Sequence, residues 1–274
     1  MAMIREMLSY PFLVRALIGG VLVSLCAALL GVSLVLKRYS MIGDGLSHVS
    51  FGALSVAVAV GWQPLAVSVP VVALAAFLLL RLTENSRIKS DAAIAMISAS
   101  ALALGIVVTS LTTGMTTDVS SYMFGSILAM SRQDVFLGVI LSAVVLCLFV
   151  FCYNKIFAIT FDENFARATG IRVRFYNSLI AVLTAVTIVL GMRMMGAMLI
   201  SSLVIFPALT AMRIFKSFRS VVVCSGILSV VCFCIGIGAS YRLSTPAGAS
   251  VVLVNLAAYG LFTLASRLCA RKYK

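Results

Sequence analysis

Long runs of this chain carry no charged residue at all, among them 17–36, 135–154, 175–192, 194–212 and 221–241. Each approaches or exceeds the ~20 residues that a helix needs to cross a hydrocarbon core. A helix pairs its backbone groups within its own segment, so such runs read as membrane spans. Strands of a membrane barrel are excluded, because they would alternate polar and apolar residues. Only 11% of the residues are charged, less than half of the roughly 25% usual in a soluble domain. Core helices of a soluble protein still need a charged outer face, so a large globular core does not account for that share. The fold class is all-α, a polytopic membrane protein.

Hydropathy places helices near 13–36, 41–60, 64–82, 91–110, 134–153, 175–192, 196–212, 220–239 and 247–266. The net charge of +13 comes mainly from short basic clusters between these runs. That is the positive-inside pattern of a membrane protein, and it argues against nucleic acid as a partner. Putting the clusters in the cytoplasm places sixteen of the 21 Lys and Arg there, together with the C-terminus. Nine spans alternate consistently, and eight remain if one segment is interfacial. The run after Arg15 is too long for a cleaved signal and ends in Lys37-Arg38, so it reads as a retained helix. The seven cysteines form no Cys-x-x-Cys pair and read as small apolar fillers.

Two stretches do not fit a span. Residues 112–132 are too polar at the start, and 121–130 read as a short or re-entrant helix that protein or a cavity must cover. Residues 157–174, FAITFDENFARATGIRVR, carry two acids and three bases. Phe161, Phe165, Ala168 and Ile171 recur there at helical spacing, which predicts a short cytoplasmic amphipathic helix. Nothing outside the spans is large enough for a second domain, so 1–274 reads as one. The chain has no Gly-x-x-x-x-Gly-Lys-Ser/Thr loop, so energy for transport must come from a partner or an ion gradient.

Asp44 and His48 stand apart from the other acids, most of which fall in loops. They lie at i and i+4 of MIGDGLSHVSFGALSVAVAV, on one face of an apolar helix. Ionisable groups in a span are costly and mark a pathway or a partner. A carboxylate with an imidazole is half a site for a divalent transition metal. The same pair also suits a plain Asp–His hydrogen bond locking two helices, and the spacing leaves both open. Gly43 beside the pair allows close helix packing or room for an ion. Pro207 frees a backbone carbonyl, so it kinks or breaks its helix and is a second gate candidate. Ser201, Ser202 and Thr210 are placed to satisfy the freed groups. Asp91 reads as a helix cap.

The segment SMIGDGLSHVSFGALSVA resembles the second-helix signature of the ABC-3 family, the permeases of bacterial zinc, manganese and iron importers. ENSRIKSDAAIAM, SSYMFGSILAMSRQDV, FDENFARATGIRV, MRMMGAMLISSLVIFPALTAM and STPAGASVVLVNLAAYG follow in the family's order. The resemblance implies that Asp44 and His48 line the ion pathway. It implies that 157–174 hold a coupling helix, with Asp162, Glu163, Ala166 and Gly170 in the contact with an ATP-binding subunit. It further implies a pair of such ATP-hydrolysing subunits, a second permease copy and an extracytoplasmic metal-binding protein, in the bacterial cytoplasmic membrane. The chain departs from the family at Ser244-Thr245, where relatives often carry an Asp, and at Asp91-Ala92-Ala93-Ile94-Ala95. SYMFGSILAM looks most like zinc-type members. On this reading the chain is no enzyme and binds no resident cofactor, and Zn2+, Mn2+ or Fe2+ is its cargo. The alternative is a secondary transporter driven by protons through Asp44 and His48.

Overall fold

The computed structural model describes residues 11–85, 90–113 and 132–272, with side chains over 13–79, 91–112 and 135–268. The helix expected at 121–130 lies outside the described residues. Among the described residues eleven helices follow in order: α1 Pro11–Leu36, α2 Ile42–Val60, α3 Pro64–Asn85, α4 Ser90–Thr113, α5 Arg132–Phe151, α6 Tyr153–Phe161, α7 Glu163–Ala168, α8 Val173–Met195, α9 Ala197–Met212, α10 Phe218–Leu243 and α11 Ala247–Lys272. Every span expected from hydropathy coincides with one of them. Among the described residues, α1, α2, α4, α8, α10 and α11 are long and apolar enough to cross a membrane. The pair α5 and α6, bent by 68° at its break, makes a seventh if counted as one span. The apolar stretches of α3 and α9 are shorter, Pro64–Leu79 and Ala197–Met212.

The bundle is organised around α1, which packs on α5, α8, α9 and α10. Burial separates the inner helices from the outer ones: 72% of the apolar windows of α2 and α8 is buried, against 22% for α4 and α11. A helix that is apolar all round is either buried in protein or faces lipid, and this molecule uses both solutions. Helices α2 and α4 approach each other closely. A Cβ at Gly52 would stand 2.7 Å from the backbone oxygen of Ala101, and one at Gly105 only 3.1 Å from Gly52 Cα. Small residues let membrane helices approach in this way, where apolar lipid removes most of the hydrophobic drive to associate.

Of the kink or break expected at Pro207, the break does not occur: α9 runs continuously from Ala197 to Met212. The hydroxyls of Ser201, Ser202 and Thr210 donate to the carbonyls of Ala197, Leu199 and Phe206. They therefore bond within their own turns and leave the Leu203 carbonyl, the one Pro207 deprives of its donor. Asp91 is not the cap residue, since α4 already includes Ser90 and Asp91 lies in its first turn. A carboxylate there still complements the positive end of the helix dipole.

Candidate metal pathway and coupling element

Asp44 lies in the first turn of α2, and His48 follows one turn later. From Ile42 to Ser55 every other residue of this helix is buried, so these two side chains are its only opening. The opening is a polar window in an apolar wall. His48 Nε2 stands 3.7 Å from Asp44 Oδ2, with the two side chains 16% and 44% exposed. That distance is too long for a hydrogen bond. Both groups also sit on one helix, so their contact locks no helix pair. Two ligands about 2.1 Å from a tetrahedral ion stand about 3.4 Å apart, close to the spacing seen here. Among the described residues no group of three or more His, Cys, Asp or Glu could hold a metal, so the pair brings two donors without a third beside them.

Gly43 faces α9. A Cβ there would meet Ser201 Cα and the Val204 side chain at 3.7 Å, an ordinary contact. The close approach in this region is made by Gly31 of α1, where a Cβ would fall 2.0 Å from the Val204 backbone oxygen. Spacing singled out Gly43, yet Gly31 is the residue with no room. At the far end of the chain's apolar region, Ser244 takes a left-handed φ of 52° as the C-cap of α10, and Thr245 pairs with Ser250.

The polar stretch 157–174 is two helices, not one. Asp162 is extended, with φ −150° and ψ 104°, and separates α6 from α7. Its carboxylate accepts from the backbone N–H groups of Asn164 and Phe165, at 2.9 and 3.0 Å, so it serves as the N-cap of α7. Gly170, expected at the end of this helix, lies beyond it with φ 81°, a conformation that favours glycine. The apolar side does not turn inward as one stripe. Ile159, Ala166 and Val173 form a small cluster of their own, while Phe157, Phe161 and Phe165 remain 42%, 60% and 63% exposed. Phe157 and Phe161 pack with Tyr153 around the buried Phe218 at the start of α10. Removing the cap tests how independent α7 is. Asp162→Ala should cost the short helix about 1 kcal/mol, seen as faster amide exchange over 163–169 with the bundle unchanged.

Glu163 does not project outward with these aromatics. Its Oε1 accepts from Lys37 Nζ at 2.7 Å and from Asn177 Nδ2 at 3.1 Å, and Lys37 donates to Asn177 Oδ1 at 2.7 Å. Burial pushes the Glu163 carboxyl up, but the bonds from Lys37 and Asn177 and the charges of Lys37 and Arg167 outweigh it, leaving it below the usual range. A lowered carboxylate stabilises the fold fully above its unfolded value of about 4.3. That contribution disappears as the pH falls through the lowered folded value. Lys37 and Asn177 escape a reading of the sequence because nothing in local spacing joins them to Glu163. The one available signal is Asn177 itself, a polar residue within an uncharged apolar run.

The chain is 30% identical to a "Probable iron transport system membrane protein" of Haemophilus influenzae, over 97% of this chain and 98% of the relative. It is 29% identical to the "Manganese import system permease protein ScaB" of Streptococcus gordonii, over 92% and 90% of the two chains. It is 30% identical to the "High-affinity zinc uptake system membrane protein ZnuB" of Haemophilus influenzae, over 90% and 94%. The solved structure "PsaBC from Streptococcus pneumoniae in complex with Fab" contains a chain of the same fold, with a TM-score of 0.85 and 30% identity over 95% of this chain and 94% of that one. The sequence pattern of the ABC 3 transport family matches residues 9–266. The chain belongs to the ABC 3 transport family, as a multi-pass transmembrane permease subunit whose ATPase is a separate partner.

Proposed function

We propose that this chain is the permease of a bacterial importer for a divalent transition metal, with Asp44 and His48 as transient ligands on the ion's path. The observation that carries the reading is the window in α2: along fourteen residues of otherwise buried helix, the two partly exposed side chains are a carboxylate and an imidazole at ligand spacing. Two protein ligands hold an ion weakly, which suits cargo that must leave again. The remaining positions are open to water or to the same pair on a second permease copy.

The cargo enters from an extracytoplasmic metal-binding protein, and a pair of ATP-binding subunits docks at the opposite, basic end of the bundle. The exposed Phe161 and Phe165 of the α6–α7 corner are the apolar anchors for that contact, as when an apolar helix face enters a groove. The basic clusters put this end, and the C-terminus, in the cytoplasm. Zinc is the first metal to test, because SYMFGSILAM resembles zinc-type members. Relatives named for iron, manganese and zinc transport stand at 29–30% identity alike, so the metal must be read from uptake.

The test is metal uptake in a strain lacking this chain, with wild type and Asp44→Ala/His48→Ala restored at equal membrane levels. Wild type should rescue growth in one scarce metal among zinc, manganese and iron, and the double variant should not. Rescue by both would remove Asp44 and His48 from the pathway. Rescue by neither, in any of the metals, would remove the metal.

A further inference from the structure

The Lys37–Glu163–Asn177 cluster joins three elements that are remote in sequence. Lys37 directly follows α1, Glu163 opens α7 and Asn177 lies in the second turn of α8. The Lys37 side chain is only 10% exposed. An ammonium held that far from water is stable only while its partners stay in place, so the cluster resists separation more than a surface pair would. Apart from this link, α7 is tied down lightly, through the three-residue apolar cluster around Ala166.

On its other side, Lys37 begins the short turn into α2. That turn is stiff. Arg38 is held at φ 64°, unusual for a residue with a Cβ. Tyr39 N–H donates to Leu34 O, Ile42 N–H to Tyr39 O and Gly45 N–H to Met41 O, so hydrogen bonds run without a gap from the end of α1 into the first turn of α2. Asp44 lies in that first turn. A displacement of Lys37 is therefore passed along a braced segment to the metal window, and a displacement of α7 is passed to Lys37 through Glu163.

Resting on the metal-import reading, we infer that the Lys37–Glu163–Asn177 cluster is the joint that transmits movement of the docking element α7 to the Asp44–His48 window. Glu163 is then a positioning residue that faces into the permease, and the surface offered to the ATPase is the aromatic one. Lys37→Met breaks the joint without touching either the metal pair or the aromatic surface.

The experiment uses the full transporter in liposomes, with permease, ATP-binding subunits and metal-binding protein, and reads zinc, manganese or iron moved per ATP hydrolysed. Lys37→Met and Glu163→Gln should lower that ratio at least tenfold while hydrolysis and subunit assembly persist. The reversed pair Lys37→Glu/Glu163→Lys should recover part of it, and Lys155→Met, an exposed cation on α6, should leave it unchanged. A wild-type ratio in Lys37→Met would overturn the joint, and so would loss of the ATP-binding subunits from both single variants, which would make the cluster part of the docking surface. A second measurement stands apart from transport: the distance between spin labels at Met41 and Asn164, both exposed, in a cysteine-free background. It should be narrow in the parent and broad in Lys37→Met, and an unchanged distribution refutes the link even if no metal is moved. Absent transport of all three metals by wild type, with the distance broadening as stated, would instead discard the metal and keep the joint.

Discussion

Gly31→Val should yield little or no monodisperse protein, whereas Gly43→Ala should purify and melt like the parent. The difference lies in what each Cβ would meet. At Gly31 the obstacle is backbone: the oxygen, carbonyl carbon and Cα of Val204 would lie 2.0, 2.9 and 3.2 Å away. No rotamer change relieves such a contact, so α1 and α9 must part. Overpacking costs about 1–3 kcal/mol where side chains adjust, and the upper end of that range or more is expected where only helices can move. At Gly43 the nearest atoms stand at 3.7 Å, and an added methyl fits. Gly52→Ala belongs between them, at 2.7 Å from the Ala101 oxygen. Thermal melts of the detergent-solubilised protein check the order. Equal melting of Gly31→Val and Gly43→Ala would mean that α1 and α9 are not in this contact. Because Val204 also lies against Gly43, the separation would displace the start of α2, and any surviving Gly31→Ala protein should transport poorly.

His48→Asp should shift the metal preference toward manganese instead of abolishing transport. The substitution keeps two ligands on one face of α2 but makes both of them carboxylates. Imidazole suits zinc and iron, while all-oxygen sites suit manganese and other harder ions. Zinc uptake is expected to fall by about 10–100-fold, the scale seen when the surroundings of a metal ligand are altered, with manganese falling much less. Asp44→His, with two imidazoles, should move in the opposite direction. Competition uptake with labelled zinc against unlabelled manganese measures both. If the two variants lose zinc and manganese in equal proportion, the side chains do not coordinate the ion and His48 has a packing role.

The spans were legible in the sequence because a bilayer leaves few choices. Length and apolar composition alone select helices that satisfy their own backbone, and the limits of α1, α2 and α9 follow within two residues of the expected ones. The Asp44–His48 pair was legible for a related reason, since i and i+4 share a face of any helix. Periodicity failed at 157–174, where it correctly found apolar residues at helical spacing but not which side they face. Asp162 breaks the segment, and Phe161 and Phe165 are left outside while Ala166 goes in. Nor does any local pattern join Lys37 to residues 126 and 140 positions away, or set Gly31 against Val204. The sequence by itself determined the spans, their apolar character and the shared face of Asp44 and His48, because those depend on one helix and its solvent. The tertiary structure alone decided which glycine is indispensable and where Glu163 points, because close approach and ion pairing depend on what the neighbouring helix presents.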